Sequence, residues 1–500
     1  MEKFTATKTA NSSVKSSSTS IWTRFKAQPK PTKKPRSRHF RWVVDAVVPL
    51  ALTFTAGIGV LLPESLPTPA RLALFAFILA AILWSTTSIN ADYIALATMM
   101  LLILAGGSPQ EQLFEALASH VIWLMIGAFI LGAAVQKTGL AARLTQLVVS
   151  RAKTVRSLFW LLTTVLIPLS FLIPSTSGRA ALAIPVFRSI ANAADDRRII
   201  RALALLMPTI ILVSTIVALV GAGSHLVAND LLQQIAKKHI SFAQWALYGL
   251  PFGIAASYAS CWVIMRLFLD KERLDRRLQV PVQTSKPFSQ AEWKTLGVVV
   301  VMIGLWLTET WHGLEIATVS VLGALVLTLP GIGVLKWKEG LKAVSWNLIL
   351  FVGAALVLGR ALIDSGAAQW IINQLFIVTG IVGAQSRTVI LFVLAFISLT
   401  SHIYMTSHTA RAAALVPALL YLGSSLQLNP VAVLFISTVG MDYCLTFPVS
   451  SKALLMFQEL EGETYKPADL LRLSSVLLLV HLGLMVVFYF GYWRWIGLQL

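Results

Sequence analysis

From residue 43 onward the chain alternates long apolar runs with short polar clusters. Each run is close to the ~20 residues that cross ~30 Å of hydrocarbon as a helix. The runs predict helices near 44–62, 70–89, 92–106, 119–142, 200–233, 243–268, 295–310, 314–330, 345–372, 428–457 and 470–496. Two further segments, 157–192 and 388–423, are apolar but broken midway by Ser, Thr and a Pro. At 1.5 Å per residue neither half of such a segment spans comfortably, so each predicts a re-entrant helical hairpin. Irregular backbone at membrane depth is tolerated only where it is packed in protein or lines a cavity, which makes the hairpin tips the first pointer to a site. The expected fold is an all-α polytopic membrane protein with about 11 transmembrane helices and two re-entrant hairpins.

Composition agrees. The 500 residues are 56% hydrophobic and 13% charged, with a mean hydropathy of +0.75, whereas soluble domains carry about a quarter charged residues. A net charge of +19 would suggest nucleic acid as the partner of a soluble protein. Here basic residues between spans are what orientation in a lipid bilayer requires, and no nucleic-acid partner is expected. Cys261 and Cys444 both lie in apolar stretches and indicate no disulfide framework. Residues 1–42 carry eleven Lys and Arg against Glu2 alone and contain no apolar core of a secretory signal. They read as a disordered basic tail that holds the amino terminus in the cytoplasm, with the spans in the cell (inner) membrane. An acid-poor, Ser-rich leader also resembles an organelle transit peptide, which would put the protein in an organelle envelope.

Charge placement divides the rest. Segment 157–192 is flanked by Arg151, Lys153 and Arg156 before it and Arg197, Arg198 and Arg201 after it, whereas 388–423 has only Arg387 nearby. Positive charge marks the cytoplasmic side, so the first hairpin is expected to open inward and the second outward. Lys237 and Lys238 fall on the outer side and run against this scheme. The halves also repeat. Ser175-Thr-Ser-Gly-Arg-Ala-Ala-Leu-Ala-Ile-Pro185 matches Ser407-His-Thr-Ala-Arg-Ala-Ala-Ala-Leu-Val-Pro417, and Phe129-Ile-Leu-Gly through Gly139 matches Leu356-Val-Leu-Gly through Gly366. Hairpins opening to opposite sides make these inverted repeats, an architecture common among secondary transporters. The expected division is a first repeat over 43–269, a cytoplasmic linker over 270–294 and a second repeat over 295–500.

The tips carry the candidate chemistry. Ser175, Thr176 and Ser177 in one and Ser407, His408 and Thr409 in the other precede Ala-rich helices. Helix N-termini at mid-membrane offer free N–H groups and a positive dipole end to an anion, and two facing ends suit a carboxylate at each end of a small molecule. Ordinary capping of buried helices would place the same residues there. Arg179 and Arg411 sit at matching positions five residues into each motif. A cation inside a span costs about 2.5–3.5 kcal/mol on insertion scales and is usually paired or functional. Each Arg is expected either to hold substrate or to form a structural ion pair, for which Asp442 is a candidate partner. Gly221, Gly223, Ser224 and His225, and then Ser450, Ser451 and Lys452, mark two helix breaks at corresponding places after each hairpin. Unwound backbone there could coordinate an ion, and Lys452 could act as a fixed cation or snorkel to the inner surface.

These features together resemble the divalent anion–sodium symporter family of citrate, dicarboxylate and sulfate carriers. Its signature is a Ser-Asn-Thr triplet at each tip, then Ala-Thr and an Ala-rich helix ending in Pro. The helices from Val121 to Gly139 and from Ser345 to Gly366 also look similar. The resemblance implies secondary transport of small organic anions, di- or tricarboxylates, by alternating access, with no cofactor and with Na⁺ or H⁺ as the partner ion; it also implies a homodimer. The departures are specific. Thr176 and His408 replace the Asn of each triplet, Arg179 and Arg411 replace the following Thr, and the Thr-Pro-Pro-Asn breaks of the family are absent. The extra cations point to anion exchange or proton coupling instead of Na⁺ symport, with Asp442 and His408 as candidate proton carriers. A Na⁺-coupled anion symporter, or an anion channel on the same scaffold, is the alternative. No paired acids, metal-ligand spacing or nucleophile motif indicates an enzyme or a metal site.

Overall fold

The structure, a computed structural model, describes residues 47–87, 89–194, 196–277, 287–368, 370, 374 and 386–500. The basic tail 1–42, residues 278–286 of the linker and the end of the span expected at 345–372 lie outside the described residues. Among the described residues nine helices are long and apolar enough to cross a membrane, and four shorter apolar helices accompany them. The fold is that of an all-α polytopic membrane protein.

Both hairpins form where the sequence expects them. In hairpin 1, helix Val155–Leu166 starts at a capping box: the N–H of Ser157 donates to the Thr154 hydroxyl at 3.2 Å, and the N–H of Thr154 donates to the Ser157 hydroxyl at 2.9 Å. The arm continues to Leu172, turns through extended Ile173, Pro174 and Ser175, and returns as Thr176–Ala194. Hairpin 2 pairs Arg387–Tyr404 with His408–Ser425, turning at Met405, Thr406 and Ser407. The Ser407 hydroxyl caps the second arm by accepting the N–H of Ala410 at 3.3 Å.

The two helix breaks expected after the hairpins are present. The segment expected at 200–233 is Arg197–Val213 followed by short 3₁₀ turns and then Gly223–Ala236. The segment expected at 428–457 is Pro430–Asp442, an unwound stretch, and Lys452–Gln458. Close backbone approach explains the first break. A Cβ on Gly221 would sit 2.3 Å from the Thr215 carbonyl oxygen, so only glycine lets the chain fold back on itself there. The span expected at 119–142 ends at Thr138, because Gly139 turns left-handed with φ 75° and ends the helix. Short helices Glu111–Leu117, Leu140–Val149 and Trp337–Ala343 lie between spans and were not expected as separate elements. At 7 to 10 residues they are too short to register as apolar runs.

The helices gather into two bundles. One packs Thr68–Thr86, Ala91–Leu104, His120–Thr138, Gln290–Leu307, Ile316–Thr328 and Trp346–Asp364. The other holds both hairpins, both broken helices, Phe242–Phe268 and Pro467–Phe488. Within the second bundle the halves exchange partners. Gly223–Ala236 of the first broken helix packs on the returning arm of hairpin 2, and Lys452–Gln458 of the second packs on the returning arm of hairpin 1. The hairpin bases lie at opposite ends of Phe242–Phe268, whose 27 residues reach about 40 Å. Arg156 at the base of hairpin 1 bonds Asp275 at 2.9 Å, just beyond one end. Asn429, just after hairpin 2, shares a cleft with Lys238 and Gln244 at the other.

At the first of these ends Asp196 caps Arg197–Val213, accepting the N–H of Arg198 at 2.8 Å and of Ile199 at 3.3 Å, and it bonds Arg273 at 2.9 Å. Partial burial opposes ionisation of this carboxyl. The two N–H groups and the guanidinium outweigh that and hold it below the usual carboxylate range.

Candidate substrate site

The hairpin tips and the helix breaks meet in one cavity of about 560 Å³ between the two bundles, a size suited to a small ligand. Ser175, Thr176 and Ser177 line it from hairpin 1, and Ser407, His408 and Thr409 from hairpin 2. Gly223 and Ser224 contribute from the first break and Ser451 and Lys452 from the second. The helices beginning at Thr176, Gly223 and His408 therefore all present their N-terminal ends to the same space. Their free N–H groups and dipoles favour negative charge there. Ser224 is buried and its hydroxyl has no hydrogen-bond partner among the described residues, so it is available to a ligand. Such a lining can offer hydroxyls, backbone N–H groups and one ammonium to an anion.

Neither arginine enters the cavity lining. Of the two expectations for each arginine, substrate contact or a structural ion pair, the structure shows neither among the described residues. Arg179 is fully buried behind the tip of hairpin 1; it bonds the Ser170 hydroxyl, the Thr215 hydroxyl at 3.2 Å and the Gly221 carbonyl at 3.0 Å. Arg411, equally buried, donates to the Tyr443 carbonyl at 3.4 Å. Each reaches the broken helix of its own repeat, because unwound backbone leaves carbonyls that need a donor.

Asp442 does not pair with either arginine within ion-pair distance. Its carboxylate meets His225 Nε2 at 2.7 Å, and both side chains are buried. His225 Nδ1 faces the Ala218 carbonyl at 3.1 Å, which can only accept, so Nδ1 carries a proton. The His225–Asp442 pair joins the first break to the second, and the His225 ring packs 4.9 Å from that of Trp245. His408 meets the Cys444 thiol at 3.0 Å. Gly221 and Ser450 sit in the breaks outside the lining.

The first bundle supplies a wall that the sequence did not single out: Trp84, Asn90, Asp92, Phe129 and Asn347. Asn90 and Asp92 stand at a polar interruption between two apolar runs, and that interruption is the only signal they give in the sequence. Ile89 and Asn90 at this turn are exposed, as are Asn347, Thr406, Val449 and Lys452 elsewhere on the lining. A second space of about 370 Å³ adjoins it behind the hairpin 1 tip and runs towards Gln136 and Ala343.

Comparison with known proteins gives a consistent picture. Residues 43–499 match the family described as the sodium:sulfate symporter transmembrane region. A membrane protein of Cupriavidus necator is 25% identical over 470 residues, covering 87% of this chain and 89% of that one. The citrate/succinate antiporter of Escherichia coli is 24% identical, covering 74% and 78% of the two chains. The L-tartrate/succinate antiporter of Escherichia coli is 22% identical over the same shares. In fold, the chain resembles the crystal structure of the Alcanivorax borkumensis YdaH transporter, with a TM-score of 0.55 at 16% identity, covering 87% of this chain and 100% of that one.

Proposed function

Because this chain belongs to the sodium:sulfate symporter family, and is therefore a membrane transporter of anions and not an enzyme, we propose that it exchanges small di- or tricarboxylates across the membrane without requiring Na⁺. The observation that carries this reading is the Arg179 guanidinium on the Gly221 carbonyl at 3.0 Å. Hairpin hydroxyls and the carbonyls of a broken helix are the groups that would coordinate a mobile cation, and here a tethered cation already holds them. Arg411 makes a longer contact, 3.4 Å, to the Tyr443 carbonyl in the second repeat, with its Nε and Nη2 unpartnered among the described residues. At an effective dielectric of ~20, two unit charges 4 Å apart interact by about 4 kcal/mol, so Na⁺ is disfavoured at both places. That two similar proteins are named antiporters supports the same reading.

The basic loops at the base of hairpin 1 put that end in the cytoplasm, with the amino terminus on the same side and the protein in the inner membrane. A second reading, proton-coupled movement, is favoured by the buried His225–Asp442 pair at 2.7 Å, since intramembrane acids and histidines commonly relay protons.

Initial uptake of labelled succinate and citrate into proteoliposomes, with choline replacing Na⁺ at fixed pH and membrane potential, tests the coupling. Unchanged uptake is expected. A collapse that Na⁺ restores with saturation would return the protein to Na⁺ symport.

A further inference from the structure

Among the described residues, helices of the hairpin-bearing bundle begin at the cavity at Thr176, Gly223, His408 and Lys452. Three of these starts are closed by their own serines. The Ser175 hydroxyl accepts the N–H of Gly178 at 3.2 Å, the Ser407 hydroxyl that of Ala410 at 3.3 Å and the Ser451 hydroxyl that of Ala453 at 3.2 Å. Gly223–Ala236 is different. Its N-cap is Ala222, whose side chain has no acceptor to offer. Among the described residues the N–H groups of Gly223 and Ser224 donate to no carbonyl and no side chain. The Ser224 hydroxyl beside them is buried, lines the cavity and has no partner either. We propose that this helix start is a subsite for the third carboxylate of a tricarboxylate, with Ser224 as the residue that sets the preference for tricarboxylates over dicarboxylates.

The donors decide what such a place takes. Two N–H groups, one hydroxyl and the positive end of a 14-residue helix are what a carboxylate requires. Acceptors at the same break are already engaged. Arg179 holds the Gly221 carbonyl at 3.0 Å and brings a positive charge to the break, and His225 holds the Asp442 carboxylate at 2.7 Å. A buried hydroxyl without a partner costs free energy, and a ligand oxygen removes that cost. The start also lies where the two bundles meet, since a Cβ on Gly223 would sit 3.2 Å from Leu348 Cδ2 of the first bundle. The two hairpin tips suit the two terminal carboxylates. A dicarboxylate therefore leaves the Gly223 start empty, whereas a tricarboxylate engages all three places. Lys452 adds charge on a flexible stem and fixes no third position.

This inference rests on the carboxylate reading of the cavity but not on the exchange or coupling mode. Half-saturation for labelled citrate and for labelled succinate is measured in proteoliposomes for wild type and Ser224→Ala, together with competition by tricarballylate, which is citrate without its hydroxyl. The Ser224 hydroxyl has no partner to lose, so its removal breaks no hydrogen bond within the fold. In Ser224→Ala the ratio of citrate to succinate half-saturation is expected to rise about tenfold, the effect of one lost hydrogen bond to a charged group, and tricarballylate is expected to follow citrate. An unchanged ratio, or one that falls, would overturn the subsite and leave the third carboxylate to Lys452. Tricarballylate that follows succinate would overturn it too, because Ser224 would then read the citrate hydroxyl. So would a wild type that takes up succinate but excludes both tricarboxylates. A wild type that takes up none of the three would sink the carboxylate reading itself, and the subsite with it.

Discussion

Nη2 of Arg179 lies 3.0 Å from the carbonyl oxygen of Gly221, so a side chain from hairpin 1 satisfies the gap in the broken helix beside it. The arrangement needs both residues. The guanidinium supplies the donors, and the missing Cβ lets the break fold tightly enough to offer its carbonyl.

Arg179→Gln should therefore act on stability before it acts on binding. The Gly221 carbonyl loses its donor, and a buried group left unsatisfied costs about 1–3 kcal/mol; the Thr215 hydroxyl loses one contact but still donates to the Ile211 carbonyl at 3.0 Å. Thermal unfolding in detergent should begin at lower temperature, and Gly221→Ala should move it in the same direction by forcing backbone apart. Lost succinate affinity at an unchanged melting temperature would instead place the guanidinium on the substrate.

His225 and Asp442 make a second testable pair. Removing one partner of a buried charged pair costs about 3–5 kcal/mol, because the other stays buried unpaired. His225→Gln and Asp442→Asn should each destabilise strongly, and the double variant should cost less than the two together. Strictly additive losses would show that the 2.7 Å contact carries no coupling energy.

The sequence made the hairpins legible because a Pro and a Ser/Thr cluster inside an apolar run can be neither a full span nor a surface loop. The tip residues of both repeats do converge on one cavity. Arg179 and Arg411 show where such reading stops. Their positions are plain in the motif, but which way a guanidinium points depends on the unwound carbonyls of Gly221 and Tyr443, which lie 42 and 32 residues further along the chain. Pairing of His225 with Asp442 spans 217 residues and had no local signature. Asp92 was hidden for another reason: one acid at a helix start looks like ordinary capping.

Asp196 gives a pH dependence outside the membrane. Its carboxyl is held below the ordinary range in the folded protein, so its contribution is full above the unfolded-state pKa and fades as pH falls through the folded value. Asp196→Asn should lower the melting temperature at neutral pH, and the gap from wild type should close as the medium is acidified below roughly pH 4. A gap that persists undiminished in acid would mean that the carboxylate charge is not what stabilises this cap.

Topology can be checked at the two ends of Phe242–Phe268. Cysteine labels introduced at Lys238 and Lys271 should report opposite faces, with Lys271 cytoplasmic, since Cys261 and Cys444 are buried and should stay silent. Labelling of both sites from one face would remove the inverted arrangement of the hairpins.

The proposed exchange of carboxylates without Na⁺ is tested most directly by initial uptake of labelled succinate into proteoliposomes loaded with unlabelled succinate, against uptake into empty ones, with choline as the monovalent cation on both sides. Saturable uptake that depends on internal succinate is the expected result. Equal uptake into empty and loaded vesicles, or none in either until Na⁺ is added, would contradict it.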